Sequence, residues 1–224
     1  MHLHTAGGSR CARVEPEEIV RIYGECGYDA LTVTNHWNRK IAFDYFSGSK
    51  SEKTEKYLAG YRAVKELAKD MRVFFGMELA LGNDYYSPTN FRACELLIYG
   101  IVPEEFYDCA FELIEFDYAA LKKFASERGW LIYQAHPYRE RSKRVKSAYL
   151  DGLEVYNNNP RHFNRNASAK ARAEKYSLLE VGGSDFHQPE DVGAGVVFDA
   201  EIFNERELVR ALKNGAYKII NEKS

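Results

Sequence analysis

The sequence has little sulfur, little proline and no excess of charge of either sign. Its four cysteines, Cys11, Cys26, Cys94 and Cys109, are scattered and include no CxxC pair, which excludes a disulfide framework or a thiolate-rich zinc ribbon. No Pro/Gly/Ser-rich linker, internal repeat or low-complexity stretch divides the 224 residues. Thirty-one basic residues against thirty-three acidic ones leave a formal net charge of −2, no support for a broad nucleic-acid or lipid surface. No run approaches the ~20 apolar residues of a membrane span, so no membrane partner is expected. The first residues, MHLHTAGGSR, lack the basic start and apolar core of a secretory signal, and the expected setting is cytoplasmic. What is present is 45% hydrophobic residues, enough for one large domain or two small ones.

Helical and β-rich segments alternate. Pro16, Glu17 and Glu18 open a helix whose apolar face is Ile19, Val20, Ile22 and Tyr23, stopped at Gly27. Leu58, Tyr61, Val64 and Leu67 recur at helical spacing over 55–69, and further helices are predicted over 104–116, 117–127, 161–175 and 205–213. Between them, 30–34, 73–77, 96–99, 130–134, 152–156, 178–181, 196–198 and 217–220 read as strands. Their continuous apolar runs suit parallel strands buried on both faces. Such alternation favours a barrel of parallel strands wrapped by helices. No GxGxxG follows the first strand, which removes the main argument for a dinucleotide-binding sheet.

Five of the six histidines fall on or just beyond the end of a predicted strand: His2 and His4 in an HxH, His36, His136 and His187. Only His162 lies elsewhere. In a parallel barrel those ends share one face, where active sites are built. Residues i and i+2 of a strand point the same way, so His2 and His4 can grip one ion. Glu78 ends the run from Val73 to Met77, Asp185 alternates with His187, and Glu95 begins the 96–99 strand. Without a cation these carboxylates would crowd negative charge into one mouth. Mixed imidazole and carboxylate donors suit zinc, manganese or iron.

These segments resemble, in order, the motifs of the PHP (polymerase and histidinol phosphatase) family. His2-Leu-His4 resembles its HxH, Thr34-Asn-His36 its TDH, and Gly76-Met-Glu78 its bridging-glutamate segment. Ala135-His-Pro137 resembles AHP and Gly183-Ser-Asp-Phe-His187 resembles GSDxH. The motifs run from residue 2 to residue 187, so the resemblance implies one PHP-type domain over 1–224. Ser9-Arg-Cys-Ala-Arg13 after HxHT is similar to small stand-alone bacterial members. The resemblance implies an α/β fold, a distorted TIM-like (β/α)7 barrel with its metal site at the C-terminal ends of the strands. It also implies two or three divalent metal ions.

By this resemblance His2, His4, Glu78 and Asp185 hold one ion, and Glu78 bridges to a second held by His136. Glu95 stands where a histidine is usual, while His36 and His187 resemble ligands of a third ion. Asn35 replaces the aspartate of TDH. The extra histidine after the first motif is absent, with Gly7 to Cys11 in that region, and the usual aspartate before Leu-His is replaced by Met1.

The implied activity is a metal-dependent phosphoesterase, acting through metal-activated water with His2, His4, Glu78, His136, Asp185 and His187 as the catalytic set. The expected substrate is a small phosphate monoester. Three carboxylates against two divalent ions leave a formal +1, which favours an anion. Arg10 and Arg139 are the candidate phosphate-binding residues, with Arg13 behind them. Two alternatives compete: an exonuclease-like phosphodiesterase on single-stranded nucleic acid, and a metal-binding domain without catalysis. The basic run 139–146, the aromatic-rich loop 84–91 and Asn157-Asn-Asn-Pro160 are further rim candidates.

Overall fold

Alternating apolar residues in the strands have two faces to bury, and the chain covers each with a different set of helices. A computed structural model describes residues 1–82 and 93–220. The loop 84–91 singled out above lies outside the described residues. In chain order the elements are α1 (Pro16–Glu25), β1 (Ala30–Val33), β2 (His36–Trp37), α2 (Lys50–Leu67), β3 (Arg72–Leu79), β4 (Leu96–Tyr99), α3 (Pro103–Leu113) and α4 (Tyr118–Arg128). They continue with β5 (Leu131–Gln134), β6 (Gly152–Asn157), α5 (Asn166–Tyr176), β7 (Leu179–Gly183), β8 (Gly195–Phe198), α6 (Glu205–Asn214) and β9 (Tyr217–Ile220).

Seven of these strands form one curled sheet in the order β1-β3-β4-β5-β6-β7, with β2 also paired to β3. The fold is mixed α/β, and its sheet departs from the parallel barrel expected. β4 runs antiparallel to both β3 and β5, while β8 and β9 form a separate antiparallel pair. The physical reason is that an uninterrupted apolar run reports burial on both faces, not strand direction. The HxH segment is an isolated bridge rather than a strand: Leu3 pairs with Phe186 beyond β7, and Thr34 N–H donates to the Leu3 carbonyl at 2.8 Å. His2–His4 thus lies between the ends of the two edge strands β1 and β7.

One sheet face carries Val73, Phe75, Met77, Leu96, Ile98, Ile132, Leu153 and Val155, packed with the apolar faces of α1 to α5. The opposite face carries Phe74, Leu97, Tyr99, Leu131, Tyr133 and Val181 against Leu208, Val209 and Leu212 of α6. Glu78 shares the parity of Phe74 and Glu154 that of Gly152, so the twofold period brings both onto this second face, beyond its apolar floor. Local signals set the helix ends. Ser49 and Glu52 form a reciprocal capping box at the start of α2, and α4 ends at Gly129 with φ 73°. The predicted helix over 161–175 begins later, at Asn166, because the Asn157–Asn164 segment is held to the strand ends by its own side chains.

Candidate metal centre

Strand register, rather than motif, brings the ionisable side chains together. β2 runs parallel to β3 with His36 opposite Glu78, which sets His36 Nδ1 2.8 Å from Glu78 Oε2. Because β4 is antiparallel, its beginning lies at the end of β3, and Glu95 faces the same cluster: its oxygens are 3.6 Å from His36 Nδ1 and from His136 Nε2. The HxH segment contributes His2 Nε2 at 3.3 Å from Glu78 Oε1 and His4 Nε2 at 3.3 Å from Oε2. Both imidazoles lie 3.4 Å from Asp185 Oδ1, and His136 Nε2 lies 3.3 Å from Glu78 Oε1.

The chemistry of this donor set fits divalent cations. Glu78 is 1% exposed, yet neither of its oxygens receives a well-formed hydrogen bond from any described residue. A buried carboxylate in that state is strongly disfavoured unless a charge offsets it. Among the described residues, three groups have ligand atoms mutually within 4.8 Å: His2, His4, Glu78 and Asp185; His36, Glu78 and Glu95; and His4, His36 and His187. Glu78 joins the first two, the geometry of a bridging ligand. His136 (φ 26°) and Asp185 (φ 49°) adopt left-handed backbone conformations, each costing about 1–3 kcal/mol, a strain that proteins retain chiefly at functional sites.

Electrostatics follow from crowding. Burial pushes Glu78 up, but His2 and His36 outweigh it and hold the carboxyl well below its usual range. Burial likewise opposes ionisation of Asp185, and Arg139 overcomes it. Glu95 is pushed up by burial and by Glu78. Burial pulls His2 down, but Glu78 and Glu154 drive it well above the ordinary histidine value. For His4 burial dominates, joined by His187 and His36, and the ring is held low. Burial pushes the Cys11 thiol up, yet the His36 and His187 imidazoles bring it down to about 4.

Several residues behind the donors hold this cluster, and sequence reasoning passed over one of them, Glu154. Glu154 is 1% exposed; it faces His2 Nδ1 at 3.0 Å and accepts from the His136 backbone N–H at 2.8 Å and from Asn157 Nδ2 at 2.9 Å. No motif marks it, and its only signal is an acidic residue at an inward position of an otherwise apolar strand. Ser9 Oγ lies 3.1 Å from His4 Nδ1, donates to Asn35 Oδ1 and accepts from the His36 N–H. Asn35 also accepts from Thr5 N–H at 2.8 Å, so it anchors the HxH loop. Arg139 donates to Asp185, Asn157 and Asn164. Its guanidinium therefore holds a candidate ligand instead of projecting as a free fork. Asn159 Nδ2 donates to the Asp185 carbonyl at 3.0 Å, which gives the Asn157–Pro160 run a bracing role.

Two cavities open beside the cluster. One of about 560 Å³ is lined in part by Arg10, Cys11, His36, Lys40 and Glu95. The other, about 310 Å³, is lined by Arg10, Cys11, Arg13, Arg161, His162 and His187 among others. Arg161 is engaged bidentately by Asp191, whereas Arg10 and Arg13 are exposed at the mouth.

Residues 163–217 match a family model described as PHP-associated. The matched stretch spans α5 to the start of β9 and includes Asp185 and His187, so the match covers a segment that supplies part of the cluster. No curated protein matches the chain. Among solved structures it is similar to a two-domain Bacteroides vulgatus protein containing a predicted PHP-like metal-dependent phosphoesterase, at TM-score 0.64 and 17% identity over 97% of this chain. This chain spans 62% of that protein's length. It is similar also to PsfC from Pseudomonas syringae (TM-score 0.63, 15% identity, 94% of this chain and 86% of that one). A candidate metal-dependent phosphoesterase from Bifidobacterium adolescentis aligns at TM-score 0.51 and 13% identity, over 96% of this chain and 95% of that one. At these identities the likeness shows a shared fold.

Proposed function

We propose that the chain is a phosphoesterase that hydrolyses a small phosphate monoester at a centre of two or three divalent ions. The observation that carries this reading is Glu78: a fully buried carboxylate without hydrogen-bond donors, ringed by four imidazoles at 2.8–3.3 Å. In this reading His2, His4, Glu78 and Asp185 hold one ion, Glu78, Glu95 and His136 a second, and His36 with His187 a third. The sheet and the HxH segment between its edges then act as one TIM-like barrel with the centre at its mouth. Divalent ions bound there supply Lewis acidity and lower the pKa of water toward neutrality.

The residues do the rest. Glu154 orients the His2 ring through Nδ1, and Ser9 with Asn35 orients His4 through Nδ1, so in each ring Nε2 is the nitrogen that would face an ion. Arg139 keeps Asp185 ionised and aimed inward. Arg10 and Arg13, at the mouth, offer guanidinium groups to a phosphoryl dianion. Aryl phosphate turnover by metal-loaded protein tests the reading, measured beside Asp185→Asn and His136→Ala. Loss in both variants is expected, and unchanged rates in both sink the mechanism.

A second reading, cleavage of single-stranded nucleic acid, draws on one observation. Tyr138, Arg144, Lys146, Arg172, Lys175 and Tyr176 line a basic cavity of about 870 Å³, a charged groove with aromatic faces. It predicts binding that weakens steeply with salt. Turnover of a short single strand with that salt dependence, and none of aryl phosphate, would select it.

A further inference from the structure

The loop after the HxH segment sets a sulfur atom beside the third histidine cluster. We propose that Cys11 is a thiolate ligand of a cation held with His36 and His187, occupying a coordination position for which the sequence offers no histidine. The proposal deepens the metal-centre reading above and rests on it.

Geometry supports it. Cys11 Sγ lies 3.1 Å from His187 Nε2, and Cys11 and His36 line the same cavity. His36 and His187 present nitrogens within 4.8 Å of each other. A tetrahedral ion with a sulfur ligand at about 2.3 Å and a nitrogen ligand at about 2.0 Å sets those atoms ~3.6 Å apart. The Cys11–His187 pair therefore needs to open by only about half an ångström. The His187 ring is oriented by its Nδ1, 2.8 Å from the Asp185 carbonyl, which leaves Nε2 toward the sulfur.

The loop is pinned to both histidines. Arg13 N–H donates to the His187 carbonyl at 3.1 Å, and the His36 N–H donates to Ser9 Oγ at 2.9 Å. Cys11 lies between those two anchors, so its position is set by backbone contacts rather than by a side-chain rotamer alone. Charge points the same way. Three imidazoles offer a cation no negative charge, and a thiolate supplies one. Binding exchanges the proton shared by the thiol–imidazole pair, released to solvent, for a sulfur–metal bond without redox change. A soft donor there favours zinc or ferrous iron over magnesium or calcium.

Cobalt(II) loaded anaerobically into the metal-free full chain is the test, because thiolate ligation gives a near-ultraviolet charge-transfer band that imidazole and carboxylate do not. The wild type should show the band, Cys11→Ser and Cys11→Ala should lose it, and Cys26→Ser should keep it. The Cys11 variants should bind about one ion fewer per chain, with circular dichroism showing the fold intact. Cobalt binding without the band in wild type, or a band surviving in the Cys11 variants, overturns the thiolate assignment and leaves the Glu78 centre standing. Wild-type chain that binds no cobalt overturns that centre, and this inference with it.

Discussion

At the scale of single residues, the centre depends as much on the groups behind the donors as on the donors. Glu154 uses both oxygens, one toward the His2 ring and one toward the His136 backbone and Asn157. Glu154→Gln keeps the volume but replaces one acceptor with a donor facing donors. Removal of such an orienting partner typically costs 10–100-fold in metal affinity, and about that loss is expected here. Competition against a chromophoric chelator measures it, and unchanged affinity would show that the His2 ring needs no such support. The motif histidines were legible because HxH, AHP and GSDxH place chemistry at fixed offsets. Glu154 was not, since a lone acid in a strand carries no offset to a partner 152 residues away. Arg139 was legible only as a cation near a motif; its commitment to Asp185 is a fact of side-chain packing.

At the scale of elements, the starts of α1, α3, α4 and α6 were readable, whereas those of α2 and α5, each five residues off, and the strand directions were not. Ser49 caps α2 through Glu52, a local device on the outside of the fold. Ser49→Ala should therefore lower stability by about 1 kcal/mol, seen as a lower denaturant midpoint at unchanged slope, and should leave metal affinity unaltered. Gly183, at the end of β7, makes the opposite case. A Cβ there would stand 2.3 Å from Glu154 Oε1 and 2.6 Å from His2 Cβ. Gly183→Ala is expected to cost about 1–3 kcal/mol by overpacking and to weaken metal binding, since the displaced atoms hold the His2 ring. Retention of wild-type metal affinity in that variant would mean that the strand end yields without disturbing the cluster. The antiparallel course of β4 decides Glu95: the same residue at the beginning of a parallel strand would lie at the far end of the sheet from Glu78.

At the scale of the whole molecule, folding and metal binding should be coupled. The buried carboxylates and imidazoles are brought together only by the folded sheet, so a cation bound to the native state alone stabilises it. At a free concentration 100 times its Kd that gain is about 2.7 kcal/mol. Thermal unfolding with divalent metal and with excess chelator should differ accordingly, and identical midpoints in a chain shown to bind metal would refute the coupling. Alkaline stability has a separate origin. Burial raises Tyr57, Tyr99 and Tyr133 well above the ordinary phenol value, and burial with Cys26 pushes Tyr28 up to about 12. The folded chain thus keeps protons that the unfolded chain releases near pH 10. Stability from this source is complete below about pH 10 and is lost as pH rises beyond it. Denaturant midpoints should fall over pH 10–12 as tyrosinate absorbance rises, and a flat midpoint would contradict the assignment.

By itself the amino-acid order determined the alternation of helices and strands, the eight longer strands among them and the residue types suited to divalent ions. Those properties are carried by local periodicity and short motifs, which need no knowledge of what lies across the fold. Tertiary structure alone decided the direction of β4, the separate β8–β9 pair, the bridge made by Leu3, and the placement of Glu154, Arg139 and Cys11 beside the cluster. Each of these depends on which distant segments become neighbours, and a run of apolar residues buries equally well in either direction.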